Sequence, residues 1–212
     1  MNNSADIISV KPDMYATFLD LRKKTDVVIP EGVREIGEKW FKGAEVESVT
    51  IPVSVAVIGK EAFHGCGRLK RVIFVPGSKL EKIGSACFSN SGIERITVPK
   101  GVEEIPKSAF EECTNLQEVA FEEGSRLTTI EENAFYECRD LATITLPEGL
   151  KNIEAFAFWG CRSLKSIQFP NGLEKIGVGC FSDSRLEEIV LPASTKEVGA
   201  ETFQYCEQLK NV

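Results

Sequence analysis

The chain has 212 residues, 42% hydrophobic and 27% charged, with 25 Lys and Arg against 32 Asp and Glu, a formal charge of −7. This lies in the ordinary globular range. The acidic balance offers no basic field to a phosphate backbone, so nucleic-acid binding is not expected. No apolar run approaches the roughly 18 residues that span a bilayer, so membrane insertion is not expected either.

The N-terminus, Met1-Asn2-Asn3-Ser4-Ala5-Asp6, lacks the basic start and apolar stretch of a secretory signal. Taken as it stands, the chain is expected to stay in the cytoplasm. Residues 1–24 read as a capping segment: Pro12 stands near the start of a short helix, Met14, Phe18 and Leu21 form its apolar stripe, and Lys23-Lys24 close it. A membrane-surface helix is the rival reading, but the stretch is short and weakly basic.

From residue 25 onward one pattern governs the chain. A phenylalanine recurs at Phe41, Phe63, Phe88, Phe110, Phe135, Phe158, Phe181 and Phe203, at spacings of 22, 25, 22, 25, 23, 23 and 22 residues. Five residues before each stands an aliphatic: Ile36, Ile58, Ile83, Ile105, Ile130, Ile153, Ile176 and Val198. After each comes a short turn and then an alternating segment such as Leu141-Ala142-Thr143-Ile144-Thr145-Leu146-Pro147. Its fourth and sixth positions are apolar, the mark of a strand with one buried face. The proline that follows cannot donate to a ladder and ends the strand. Two spacings of 25 come from longer turns at residues 77–83 and 124–130. No single repeat can enclose its own apolar face, so the coils must stack into one continuous core. This predicts an α/β repeat solenoid of about eight coils of 22–25 residues, with a parallel sheet on the concave face roughly 40 Å long at ~4.8 Å per strand.

Strand positions three and five face away from that core. Position three reads Asp26, Ser48, Arg71, Arg95, Glu118, Thr143, Ser166 and Glu188, and position five reads Val28, Thr50, Ile73, Thr97, Ala120, Thr145, Gln168 and Val190. Arg71 and Arg95 fall on successive coils, a local basic spot on an acidic protein. They could anchor an acidic group of a partner, with Thr97, Glu118, Thr145 and Gln168 completing the surface. The plainer reading is a solvated strand face with Glu94 and Glu118 nearby. A second candidate is the row after the repeat Phe, where Tyr136 and Trp159 stand on adjacent coils among polar residues. Exposed, they would make a binding pair; folded over the turn, they would cover Cys138 and Cys161. Trp40 stands in a row held elsewhere by Ala62, Ala109, Ala134 and Ala157, and is expected to fill a gap at the first coil.

Five cysteines, Cys66, Cys113, Cys138, Cys161 and Cys206, sit three residues after the repeat Phe; Cys87 and Cys180 sit immediately before it, in repeats whose turn carries Ser91 or Ser184. This is a packing position for a small side chain. Parallel Cβ vectors along the stack disfavour bridging. No Cys-x-x-Cys occurs, and His64 is the lone histidine. Buried reduced thiols are therefore expected, with no metal, cofactor or catalytic residue. With no nucleophile–base pair in sight, the chain is not expected to be an enzyme.

The unit Leu-x-x-Ile-x-Leu-Pro, then Ile-Gly-x-x-x-Phe-x-x-Cys, resembles the BspA-like (Treponema pallidum-type) class of leucine-rich repeats over residues 27–212. It lacks the Asn ladder of animal receptors. The resemblance implies a right-handed curved solenoid that binds a protein partner, such as a host matrix or cell-surface protein, from a cell-surface or secreted location. An intracellular scaffold or effector domain is the alternative. At the other end, Leu209-Lys210-Asn211-Val212 starts a strand and stops. The expectation is a fragment of a longer protein, or an open edge that self-associates.

Overall fold

Each of the first six coils carries a strand, a turn, a second very short strand and the phenylalanine turn, the last two keep all but the first of these, and the coils stack with like positions in register. The computed structural model describes residues 21–210. The helical cap expected over residues 1–24 lies outside these except at its last residues, where Leu21 joins the core at 8% exposed. Residues 211 and 212, on which the open-edge expectation rests, also lie outside.

The six strands of the concave sheet are β1 (Asp26–Val28), β3 (Ser48–Ile51), β5 (Arg71–Phe74), β7 (Arg95–Val98), β9 (Glu118–Phe121) and β11 (Thr143–Ile144), all parallel and in coil order. Their alternation places Val27, Val49, Val72, Ile96, Val119 and Ile144 inward and leaves positions three and five outward. The sheet is shorter than expected. Residues 165–170 of the seventh coil form no strand, and the eighth holds only a single bridge residue, Glu188. The physical difference lies at the sixth position. Phe74, Phe121 and Phe169 stand there in place of Ile51, Val98 or Leu146, and each is only half-buried. The coil after Phe74 pairs through one residue, Arg71 with Arg95, and the coil after Phe121 through two. The coil after Phe169 keeps only the bridge at Glu188, while the missing strand in the Phe169 coil itself, which follows Leu146, has no such cause. A ring too bulky for its slot wedges the next coil away.

A second set of strands, two residues each, was not foreseen. β2 (Glu35–Ile36), β4 (Val57–Ile58) and β6 (Lys82–Ile83) form one ribbon; β8 (Glu104–Ile105), β10 (Thr129–Ile130), β12 (Asn152–Ile153), β13 (Lys175–Ile176) and β14 (Glu197–Val198) form another. Each ribbon places its repeat Ile residues at one level of the core, whereas Val198, on the last coil, is 43% exposed. No helix occurs among the described residues beyond Leu21, so turns and ribbons close the coil.

The phenylalanine turns hold the stack together. The residues two before and two after each Phe have positive φ, as at Lys39 (61°), Glu61 (54°), Ala86 (53°) and Asn90 (57°). Left-handed backbone costs a non-glycine residue ~1–2 kcal/mol. The return is geometric: alternating handedness aims every second amide along the solenoid axis. Ala86, Phe88 and Asn90 donate to the carbonyls of Lys107, Ala109 and Glu111 at 2.9, 2.9 and 2.8 Å, and the same triplet recurs from coil to coil. This ladder stays whole where the concave sheet fails. Inside it the phenylalanine rings stack face to face at 5.1–5.4 Å from Phe41 to Phe181, with Phe203 at 6.1 Å from Phe181. Trp40 is half-buried over Gly37, where a Cβ would meet its indole at 2.4 Å.

Candidate binding surface

The single-residue pairing of β5 with β7 leaves a cleft of about 330 Å³ on the concave face. Its walls are Arg71 to Phe74 on one side and Arg95 to Thr97 on the other, with Glu122 at one end. The sheet register places Arg71 directly beside Arg95. Arg95 is held by Glu118, Nη1 to Oε2 2.7 Å, whereas the Arg71 guanidinium has no ion-pair or hydrogen-bond partner among the described residues. Lys70 and Glu94 pair beside them at 3.6 Å. Ile73, 46% exposed, is the next outward residue after Arg71 on the same strand, alongside the arginine pair. Thr97 is exposed and lines the cleft.

The other proposed concave residues are not gathered there. Thr145 is exposed just past the end of β11, and Gln168 is exposed on the coil that forms no strand. Tyr136 and Trp159 lie on the flank, half-buried, with ring centroids 4.8 Å apart and planes 10° apart. They cover one another. Burial raises the Tyr136 phenol above its ordinary pKa, helped by Glu137, Glu111 and Glu112.

Sequence reasoning missed a second concavity beyond Trp159, lined by Arg162, Lys165, Arg185 and Tyr205 among others. Its signal is faint: a turn one residue short after Phe181.

All seven cysteines are buried and unbridged. The five in the turn donate their thiol to the repeat Phe carbonyl of an earlier coil, as in Cys113 Sγ to Phe88 O at 3.0 Å and Cys138 Sγ to Phe110 O at 3.1 Å. Burial pushes the Cys66 and Cys113 thiols up to about 11 and raises Cys87, Cys138, Cys161 and Cys180 as well. Such thiols stay protonated, poor nucleophiles and poor metal ligands. No group of three potential metal ligands exists among the described residues. The Nδ1 of His64 is buried with no partner in them. No helix in them is long and apolar enough to cross a membrane.

Residues 14–126 and 81–210 match the family model described as BspA type leucine rich repeat region, in six copies. Three solved structures are similar. A leucine-rich repeat protein of T. pallidum is 32% identical, covering 76% of this chain and 77% of that one, at a TM-score of 0.67. One from Eubacterium ventriosum is 27% identical over 81% of this chain and 45% of that one, at 0.74, and one from Bacteroides ovatus is 25% identical over 87% and 62%, at 0.66. The chain thus spans less than half of the Eubacterium ventriosum protein. No curated protein matches it.

Proposed function

Because the chain belongs to the BspA-type leucine-rich-repeat family, whose repeats generally mediate protein–protein interaction, we propose that it is a non-enzymatic adhesion or recognition module for a protein partner. The observation that supports this reading most is the cleft between β5 and β7. Arg71, unpaired on the outward face beside Ile73, offers a bidentate donor to a partner carboxylate next to an apolar contact. Arg95 presents a second guanidinium already oriented by Glu118. Small outward residues on either side, Thr50 and Thr97, leave an extended segment free to approach.

The test is capture of host-matrix and cell-surface proteins on the immobilised chain, repeated with Arg71→Glu/Arg95→Glu. A charge-reversed pair should weaken the captured partner by about tenfold or more and reduce the salt dependence of its association. A partner that binds both forms equally would remove the cleft from the proposal. Failure to capture any such protein would remove the adhesion reading itself.

A further inference from the structure

The second concavity, about 840 Å³, opens on the flank of the last three coils. One missing residue creates it. From Phe158 to Leu164 and from Phe203 to Leu209 the turn takes six steps, but from Phe181 to Leu186 it takes five. The short turn from Phe88 to Ile93 is closed by Gly92. Its amide donates to Cys66 O at 3.1 Å, and a Cβ there would come within 2.3 Å of Gly67 O. The residue in the place of Gly92 is Arg185, whose amide makes no bond to the coil before it. The coils cannot close over a side chain, and a notch remains.

Two aromatics flank this notch. Tyr136 covers one face of Trp159, and the next residue in that row is Ser182, which carries no ring. The outer indole face is therefore left to the groove. Tyr205, 69% exposed, stands two coils further on. Between them Arg162 is locked to Asp183, Nε and Nη2 to Oδ2 at 2.9 and 2.6 Å. Lys165, Arg185, Glu187 and Glu207 have no side-chain partner among the described residues, and Gln208 adds an amide. Arg162, Lys165 and Arg185 balance Asp183, Glu187 and Glu207, so the groove carries no formal net charge.

We infer that this groove binds an uncharged oligosaccharide. A balanced ring of donors and acceptors repels a polyanion as much as it attracts one. Hydroxyls, which each donate and accept, use both kinds of group. The flat C–H face of a pyranose packs on the free indole face, and Tyr205 offers a platform for a ring further along the chain. The volume falls within the ~300–1,000 Å³ of known ligand sites. None of these residues belongs to the concave cleft, so this site stands or falls independently of the protein-binding reading.

The experiment is calorimetric titration with uncharged tetrasaccharides of glucose, galactose, mannose and N-acetylglucosamine, and separately with a glutamate-rich peptide. At least one saccharide should bind with a Kd below about 10 mM. Trp159→Ser, which places in that row the residue its neighbour Ser182 already carries, should weaken it about tenfold or more. Arg185→Gly should do the same by importing the closed turn seen at Gly92, and it decides the matter if Trp159→Ser lowers the melting temperature. Arg71→Glu should leave the affinity unchanged. No saccharide binding below that limit, binding indifferent to Arg185→Gly, or binding of the acidic peptide instead would each overturn the assignment.

Discussion

Pro106 occupies the position from which the other coils donate a backbone N–H to the aliphatic of the coil before, so the ladder skips the carbonyl of Ile83. Gly84 donates to Ile58 at 2.7 Å and Glu131 to Ile105 at 2.9 Å, on either side of the gap. Proline has no hydrogen to give, and here the ribbon splits into its three-stranded and five-stranded parts. The concave sheet is also thinnest at this junction, between β5 and β7. The phenylalanine-turn ladder is what crosses it.

Pro106→Ala should restore the missing bond and join the two ribbons, since Glu131 and Glu154 donate from the same position with a side chain in place. One backbone hydrogen bond contributes ~0.5–1.5 kcal/mol net, while losing proline frees the unfolded chain by ~0.4–1 kcal/mol. The stability change should therefore stay within about 1 kcal/mol. Amide exchange is the sharper readout: residue 106 should show a new protected amide, and the amides of residues 104 and 105 should slow. Unchanged exchange there would mean that the split has another cause.

The left-handed turn positions separate two substitutions of opposite sign. Ala86, at φ 53°, should be relieved by Ala86→Gly, which keeps its amide bond to Lys107 O. The strain removed, ~1–2 kcal/mol, outweighs the ~0.5–1 kcal/mol of added unfolded-state entropy, and urea midpoints should rise slightly. Gly179→Ala should do the reverse, because a Cβ there would lie 2.5 Å from the Phe156 ring in addition to a φ of 58°. Overpacking of this kind costs ~1–3 kcal/mol.

Phe110→Ala should be among the most damaging single changes in the chain. Its ring is fully buried between Phe88 and Phe135 at 5.3 and 5.2 Å. Truncating such a side chain costs ~3–5 kcal/mol, and Phe110→Leu should recover a good part of it. Equilibrium urea denaturation of the two variants gives the comparison.

The thiols predict an alkaline limit to stability. Cys66 and Cys113 are held up to about 11 by burial, whereas an unfolded cysteine titrates at ~8.5. Below ~8.5 both states are protonated and stability is full. Between there and about 11 the unfolded chain loses protons that the folded chain retains, so stability falls as pH rises through this window. The urea midpoint measured across it should decline, and Cys113→Ser should make the decline shallower. In the same range a thiol reagent should react slowly with the folded protein and rapidly after unfolding.

The Phe and Ile rows were legible because they repeat at fixed spacing and each fills one level of a single core. The juxtaposition of Arg71 and Arg95 followed from the same register. The ribbons escaped notice because two residues are too few to alternate. The left-handed corners escaped because Lys39, Glu61 and Ser108 stand where a reader looks for glycine, and only the direction of their amides explains them. Gln168 carries the right pattern for a strand, yet its coil joins no ladder on the concave face, and nothing in its outward row distinguishes it from the coils that do. The flank groove depends on the contrast between Gly92 and Arg185, which has meaning only once the closeness of Gly92 to Gly67 is known.

The near-constant step of the phenylalanine stack makes the chain a ruler. The Arg71–Arg95 cleft and the Trp159–Tyr205 groove are separated by whole coils, each adding about one strand spacing of ~4.8 Å along the axis. Excising a complete lap between them, such as residues 136–158, removes no lining residue of either surface and would bring Phe135 against Phe181 with the same kind of contact on both sides. The two surfaces would then sit one graduation closer together, each intact. A partner that touched both at once would feel that change in length, whereas partners of either surface alone would not.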